Sequence, residues 1–175
     1  MTALIRPAEG EHADYYAKYV ALVPDGDILS TLQHQLGDTL ASLQGVSAER
    51  ETFRYAEGKW SLREVIGHLI DTERVFAYRA LSIARSDGVD LPGMDQDEWV
   101  ATSNAGDRPV DDMCAEWAAL RQANIHMFAV MDAATGARSG RASGFEFTVR
   151  SFPWIIAGHE LWHRQLIARD YLEAG

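Results

Sequence analysis

Two histidines one helical turn apart offer the clearest chemistry in this sequence. His159 and His163 lie four residues apart in a stretch with helical periodicity, so both project from the same side of a helix. Phe152, Ile156 and Leu166 share that side, which directs the imidazoles inward. A pair at this spacing can bind one metal ion; the alternative is a pair of core histidines bonded to backbone or carboxylate groups. The spacing alone leaves both interpretations open.

A third histidine is expected on a facing helix. His68 follows Glu64 and Val65 by one turn, on or beside another inward stripe. Three imidazoles leave one coordination position open for water or substrate, as in catalytic rather than closed structural sites. We therefore predict a metal site formed by His68, His159 and His163. Zinc or nickel is expected first, with iron, copper or manganese as alternatives, because imidazoles bind all of them.

The segment from His159 to His163 also matches H-E-x-x-H, the motif of zinc proteases. That motif requires a third ligand downstream, yet only twelve residues follow, and Arg169 occupies the position where metzincin spacing has a histidine. Glu160 projects about 100° around the helix from His159, given 3.6 residues per turn. We interpret it as a salt-bridge or supporting residue rather than a general base, and the protease match as accidental.

Two further acids flank His68. Glu64 and Asp71 lie one turn before and one turn after it, where a carboxylate could orient the imidazole or hold a metal-bound water. The favoured alternative is that each is a solvated acid or bridges two helices.

Helical periodicity and capping signals predict an all-α, four-helix bundle. Ser61 and Glu64 form a capping box at the start of the second helix. The four long helices are expected at about Ile28–Gln44, Ser61–Arg85, Val110–Met131, and from Val149 or Pro153 to Leu172. A short helix is expected at Glu11–Leu22, and a small extended segment near Phe145–Val149. The long connection Ser86–Pro109 is expected to lie over one end of the site.

Composition narrows the class of protein. The chain has 175 residues, a formal charge of −10 and one cysteine, Cys114. This length predicts a single domain over residues 1–175. The acidic charge argues against a nucleic-acid partner, since phosphate recognition needs a basic surface. No leader and no membrane span is expected, and a lone cysteine fits a reducing compartment, so a cytoplasmic location is predicted.

Several motifs resemble those of the DinB/YfiT-like superfamily of metal-binding four-helix bundles. They are Gly58-Lys59-Trp60-Ser61-Leu62-Arg63-Glu64-Val65-Ile66-Gly67-His68, Asp71-Thr72-Glu73-Arg74, Phe76-Ala77-Tyr78-Arg79, Leu91-Pro92-Gly93-Met94-Asp95-Gln96-Asp97 and Ile155-Ile156-Ala157-Gly158-His159-Glu160-Leu161-Trp162-His163. They occur in order over most of the chain from about residue 25 onward. Many members have a histidine where this chain has Trp162, which changes the pocket wall but not the three ligands.

The resemblance implies an up-down-down-up type of bundle with His68, His159 and His163 as ligands, and commonly a homodimer. Characterised relatives include metal-dependent transferases of low-molecular-weight thiols, such as bacillithiol, and mycothiol-dependent isomerases. The leading hypothesis is therefore a metal-dependent thiol S-transferase or related detoxification enzyme that acts on a small-molecule substrate, with the thiol as cosubstrate. The alternatives are a metal-dependent hydrolase and a non-catalytic metal or small-molecule binding protein.

Overall fold

Eight α-helices and three short strands form the computed structural model, which describes residues 3–173. The helices are α1 (Ala17–Val20), α2 (Ile28–Leu43), α3 (Ala48–Thr52), α4 (Leu62–Arg85), α5 (Gln96–Thr102), α6 (Val110–Ala129), α7 (Ala133–Gly136) and α8 (Ser151–Ile167). The strands are β1 (Asp90–Leu91), β2 (Ser139–Ala142) and β3 (Phe145–Thr148). 3₁₀ turns lie at Asp14–Tyr16 and Ala105–Asp107, and a π-helical turn at Ala168–Leu172 extends α8. Helices α2, α4, α6 and α8 form the four-helix bundle that the sequence predicted.

The four long helices pack in a square. Helix α2 contacts α6 and α8, and α4 contacts the same two helices. Of these four contacts, only the one between α4 and α6 joins long helices that are consecutive along the chain. The other three join long helices that are not consecutive. Because α4 carries His68 and α8 carries His159 and His163, the predicted ligands lie on facing helices.

The second predicted helix begins as its capping signal indicates. The Ser61 hydroxyl accepts the backbone N–H of Glu64 at 3.3 Å, and the Glu64 carboxylate accepts that of Ser61 at 2.6 Å. This reciprocal bonding satisfies two of the N–H groups that a helix start leaves unpaired. It anchors the end of α4 nearest His68.

Two apolar clusters make up the core among the described residues. One includes Ile156 and Phe76, and the other includes Leu69 and Ile167. Along α8, Phe152 and residues 154–157 belong to the first cluster and Ile167 to the second. The histidines of α8 therefore lie between the two apolar clusters along the helix.

Two predicted segments differ from the structure. The short N-terminal helix spans only residues 14–20, because the Glu11 backbone oxygen and side chain bond instead to Thr148 and Arg150. The extended segment is part of a sheet whose strand β2 was not predicted: β3 pairs with β2 antiparallel, and β2 pairs with β1 parallel. Strand β1 lies in the connection 86–109, so the sheet ties that connection to the segment before α8. None of the described helices is long and apolar enough to cross a membrane.

Candidate metal centre

The three predicted histidines meet inside the bundle. One ring nitrogen from each of His68, His159 and His163 lies within 4.8 Å of the other two. The Nε2 atoms of His68 and His159 are 3.3 Å apart. His68 and His159 are almost fully buried, and His163 is partly buried.

These distances fit a bound divalent cation. Tetrahedral coordination at about 2.0–2.1 Å places two ligand nitrogens about 3.3–3.4 Å apart. The spacing of the His68 and His159 nitrogens matches that value. The Nδ1 atom of His163 is buried and has no hydrogen-bond partner within residues 3–173. The alternative of histidines satisfied by backbone or carboxylate groups therefore finds no support at His163.

Burial keeps all three imidazoles neutral at physiological pH. It lowers the pKa of His68 to about 4 and that of His163 to about 3, with the neighbouring histidine and Lys18 adding to the effect at His163. The pKa of His159 also lies well below its usual range, chiefly because of burial. A metal binds the neutral imidazole, so no proton has to be displaced before coordination.

The ligand-bearing helices approach their neighbours closely at two glycines. A Cβ added to Gly158, beside His159, would lie 2.0 Å from the Tyr19 backbone oxygen. A Cβ on Gly67, beside His68, would lie 2.4 Å from the Ala105 Cβ. Neither site has room for a side chain, so both glycines permit the packing that positions the adjacent histidines.

Thr72 supports His68 in a way that the sequence reasoning missed. Its hydroxyl lies 3.3 Å from Nδ1 of His68, which leaves Nε2 directed at the other histidines. The sequence does contain a signal for this contact, because Thr72 follows His68 by four residues and so lies on the same helix face. Groups that hold the second nitrogen of a metal-binding histidine fix its orientation.

Glu160 does not face the histidine cluster. It is 1% exposed, accepts the Thr39 hydroxyl at 2.6 Å, and lies 2.9 Å from Nη2 of the buried Arg121. Arg121 also forms a two-pronged bond with Glu73. Glu160 is thus part of a buried ion network that joins α2, α6, α4 and α8, as the salt-bridge interpretation predicted.

The other two acids also bond elsewhere. Glu64 serves the capping box and pairs with Arg54 at 2.6 Å. Asp71 pairs with Arg74 on the same helix. Neither carboxylate belongs to the cluster of potential ligands, and within the described residues no aspartate, glutamate or cysteine does. A cation held by these three histidines alone would have a coordination position open.

Two separate cavities reach the cluster. The first, of about 80 Å³, is lined by His68 and His159 together with Arg79, Tyr16 and Tyr19. Met94 and Gln96 of the connection 86–109 also line it, as expected for a segment that covers one end of the site. The second cavity, of about 510 Å³, is lined by His163 with aromatic and charged side chains: Tyr55, Lys59, Trp60, Asp97 and Tyr171.

The fold and the site together define a class of protein: a four-helix bundle in which facing helices direct three histidines inward, as a candidate metal site. The family model of the DinB superfamily matches residues 31–167, and the chain belongs to that superfamily. Among solved structures it is similar to YfiT from Bacillus subtilis, described as a probable metal-dependent hydrolase with an unusual four-helix bundle topology. The TM-score is 0.70 at 14% identity, over 93% of this chain and 91% of YfiT, a likeness that shows the fold. No curated protein sequence matches the chain significantly.

Proposed function

We propose that this protein is a metal-dependent enzyme that joins a low-molecular-weight thiol to a small electrophile. His68, His159 and His163 would hold the divalent cation, with zinc and nickel as the first candidates. When bound there, the cation would supply a Lewis acid that lowers the pKa of a thiol.

The two cavities that share the histidine cluster support this proposal most directly. His68 and His159 line one cavity, and His163 lines the other. Two reactants can therefore approach the same open coordination position by different routes. A reaction between two substrates uses that arrangement, whereas hydrolysis needs only one substrate and water.

The proton balance also favours a thiol as nucleophile. Glu160, Glu64 and Asp71 are bonded to arginines, so none of these three carboxylates is free to act as a general base, and Asp97 is the acid that lines the second cavity. A thiol has an ordinary pKa of about 8.5 and would need only a small shift to lose its proton to solvent, whereas water would need a bound cation to lower its pKa from about 15.7 to about 7. The sulfur then attacks the electrophilic carbon, an S–C bond forms, and the leaving group departs with the electron pair of the bond that breaks.

Tyrosines of the first cavity shape the substrate environment. The Tyr19 ring packs edge-on against His159 with centroids 5.3 Å apart, which limits access of water. Burial raises the pKa of Tyr16 and of Tyr19 above the usual range, so both hydroxyls keep their protons at neutral pH. They are available as hydrogen-bond donors to a substrate or leaving group.

Metal-dependent hydrolysis is the second candidate, favoured by the description of YfiT as a probable metal-dependent hydrolase. It would use the same three histidines and would turn over an ester or amide without a thiol. A non-catalytic binding site would be favoured by a fourth protein ligand, and the described residues offer none.

The test combines metal analysis with a thiol-dependent assay. The purified protein is loaded with zinc or nickel and given 1-chloro-2,4-dinitrobenzene with and without cysteine. We expect conversion faster than the uncatalysed reaction of cysteine only when both metal and thiol are present. Nickel-loaded protein should also develop a sulfur-to-metal absorption band on addition of cysteine. If the thiol changes neither the spectrum nor the half-life of the electrophile, the transferase proposal is wrong.

Histidine variants assign the role of the cluster. His68→Ala and His163→Ala should each lose bound metal and activity, because two remaining ligands hold a cation poorly. His126→Ala is the matched control, since His126 lies on α6 and bonds to Gln122 at the surface. Turnover of 4-nitrophenyl acetate that needs metal but no thiol would support the hydrolase instead.

A further inference from the structure

Arg79 is a buried cation without a carboxylate partner. Its side chain is 3% exposed, yet no aspartate or glutamate among residues 3–173 forms an ion pair with it. Arg121 is equally buried but is neutralised by both Glu73 and Glu160. Because a guanidinium stays protonated under all ordinary conditions, Arg79 retains an uncompensated positive charge inside the protein.

Part of the Arg79 guanidinium is also left without hydrogen-bond acceptors. Its Nη2 donates to the Pro92 carbonyl and to the Ser143 hydroxyl, each at 2.9 Å. The Tyr16 hydroxyl is its remaining polar neighbour. A guanidinium has five N–H groups, so even with one bond to Tyr16 at least two have no acceptor within residues 3–173. No Arg79 nitrogen is among the fully buried atoms that lack a partner, so these free N–H groups are accessible from the cavity, where a ligand can accept from them.

The unpaired charge lies on the wall of the first cavity. Arg79 lines that cavity together with His68 and His159, and no acidic side chain is among the described residues around it. The cavity therefore carries a positive charge even before any cation binds, in a protein whose formal charge is −10.

The hairpin turn that holds Arg79 in place is conformationally strained. Ser143 has φ 53° and is followed by Gly144 at φ 82°, at the two-residue turn between β2 and β3. Asn, Asp or Gly is the usual residue at the first of these turn positions. A serine there keeps a hydroxyl 2.9 Å from the guanidinium, and strain of this kind is often retained at functional sites.

We propose that Arg79 is the anion-recognition residue of this cavity and that its ligand carries a carboxylate. The planar guanidinium fork matches the two oxygens of a carboxylate. His68 and Arg79 are eleven residues apart on α4, about 16 Å along the helix axis at 1.5 Å per residue. A ligand that reaches both has its carboxylate several bonds away from its reacting atom. What happens at the reacting end of the ligand rests on the proposed function. Binding of its carboxylate by Arg79 requires no metal.

The experiment compares a carboxylate with its neutral amide. Binding of 3-phenylpropanoate and of 3-phenylpropanamide to the zinc-loaded protein is measured by isothermal titration calorimetry. We expect the carboxylate to bind at least about tenfold more tightly, the value of one or two hydrogen bonds to a charged group. Arg79→Gln should bring the two affinities to within about twofold. The matched control is Arg138→Gln, a surface arginine paired with Asp87, which should keep the preference.

Two further measurements separate this inference from the metal proposal. Metal-free wild-type protein should still prefer the carboxylate, since recognition by Arg79 does not depend on the cation. Loss of the preference there means that the carboxylate binds the metal instead, and overturns the proposal. In wild-type protein the Arg79 Nε–H resonance should shift with the carboxylate and not with the amide, a readout that needs no stable variant. Equal wild-type affinities, or no resonance shift, also overturn it.

Discussion

Glu160→Gln distinguishes a buried structural carboxylate from the general base of a protease motif. The substitution keeps the shape of the side chain and removes its charge. Glu160 is 1% exposed, and its Oε2 lies 2.9 Å from Nη2 of Arg121 without satisfying hydrogen-bond geometry. The contact is therefore an ion pair in a desolvated setting, where charges are weakly screened.

The expected cost follows from what each partner retains. Arg121 keeps its two-pronged bond to Glu73, so it is not left unpaired. The Thr39 hydroxyl can still donate to the amide oxygen of the new glutamine. We therefore expect the free energy of unfolding to fall by about 2–3 kcal/mol, below the 3–5 kcal/mol typical of a fully broken buried pair. Arg121→Met should reach that higher range, because it leaves two buried carboxylates without the cation that neutralises them.

Urea unfolding monitored by circular dichroism measures both effects. For a chain of this size, about 2–3 kcal/mol corresponds to a fall in Tm of roughly 4–12 °C. Glu146→Gln is the control, since Glu146 is exposed and its contact with Arg141 is 3.9 Å; it should change stability by less than about 0.5 kcal/mol. Zinc content should stay the same in all three variants. An unchanged stability in Glu160→Gln protein, combined with lost activity, would refute the structural role.

Three other predictions concern packing, ligand support and pH. Gly158→Ala should destabilise the protein by more than about 3 kcal/mol, because the added Cβ would meet the Tyr19 carbonyl. Gly37→Ala is the control: a Cβ there would have nothing within 4 Å, so it should stabilise the protein by about 0.5–1 kcal/mol. Thermal unfolding measures both effects. Thr72→Val should weaken zinc affinity about 10- to 100-fold in a competition titration, since it removes the hydroxyl beside His68 Nδ1; an unchanged affinity contradicts this role. Metal-free protein should lose stability as pH falls from about 6.5 toward 4, because His68 stays neutral in the fold while the unfolded chain binds a proton. The contribution of His68 to this loss between pH 7 and pH 5 is about 2 kcal/mol. His68→Ala should reduce the loss, as measured by urea titrations at each pH.

Local sequence patterns predicted much of the fold and of the histidine cluster. The four-residue spacing of His159 and His163 and the capping box at Ser61 act within one helix turn, where sequence distance and spatial distance coincide. The position of His68 opposite them followed from its inward stripe on a second helix. These features could be predicted because each depends on helix geometry alone.

The features that the sequence did not reveal depend on pairings between distant segments. Strand β2 is rich in small and polar residues and forms only because β1 and β3 supply its hydrogen bonds. The unpaired charge of Arg79 follows from the absence of any acid near it in space within residues 3–173. In sequence it resembles the well-paired Arg121. Such distinctions require knowledge of which helices are neighbours.

The small sheet separates the control of selectivity from the control of metal geometry. Its strands join the connection after α4 to the hairpin before α8, and the frame formed by these two segments lines part of the first cavity. The histidines belong to the rigid helices, whereas Ser143 and Met94 belong to this frame. Substitution or lengthening of the hairpin turn can therefore alter which molecules enter while the three imidazoles stay in place. Related proteins can diverge in substrate through this rim alone, and an engineer could redirect specificity there first.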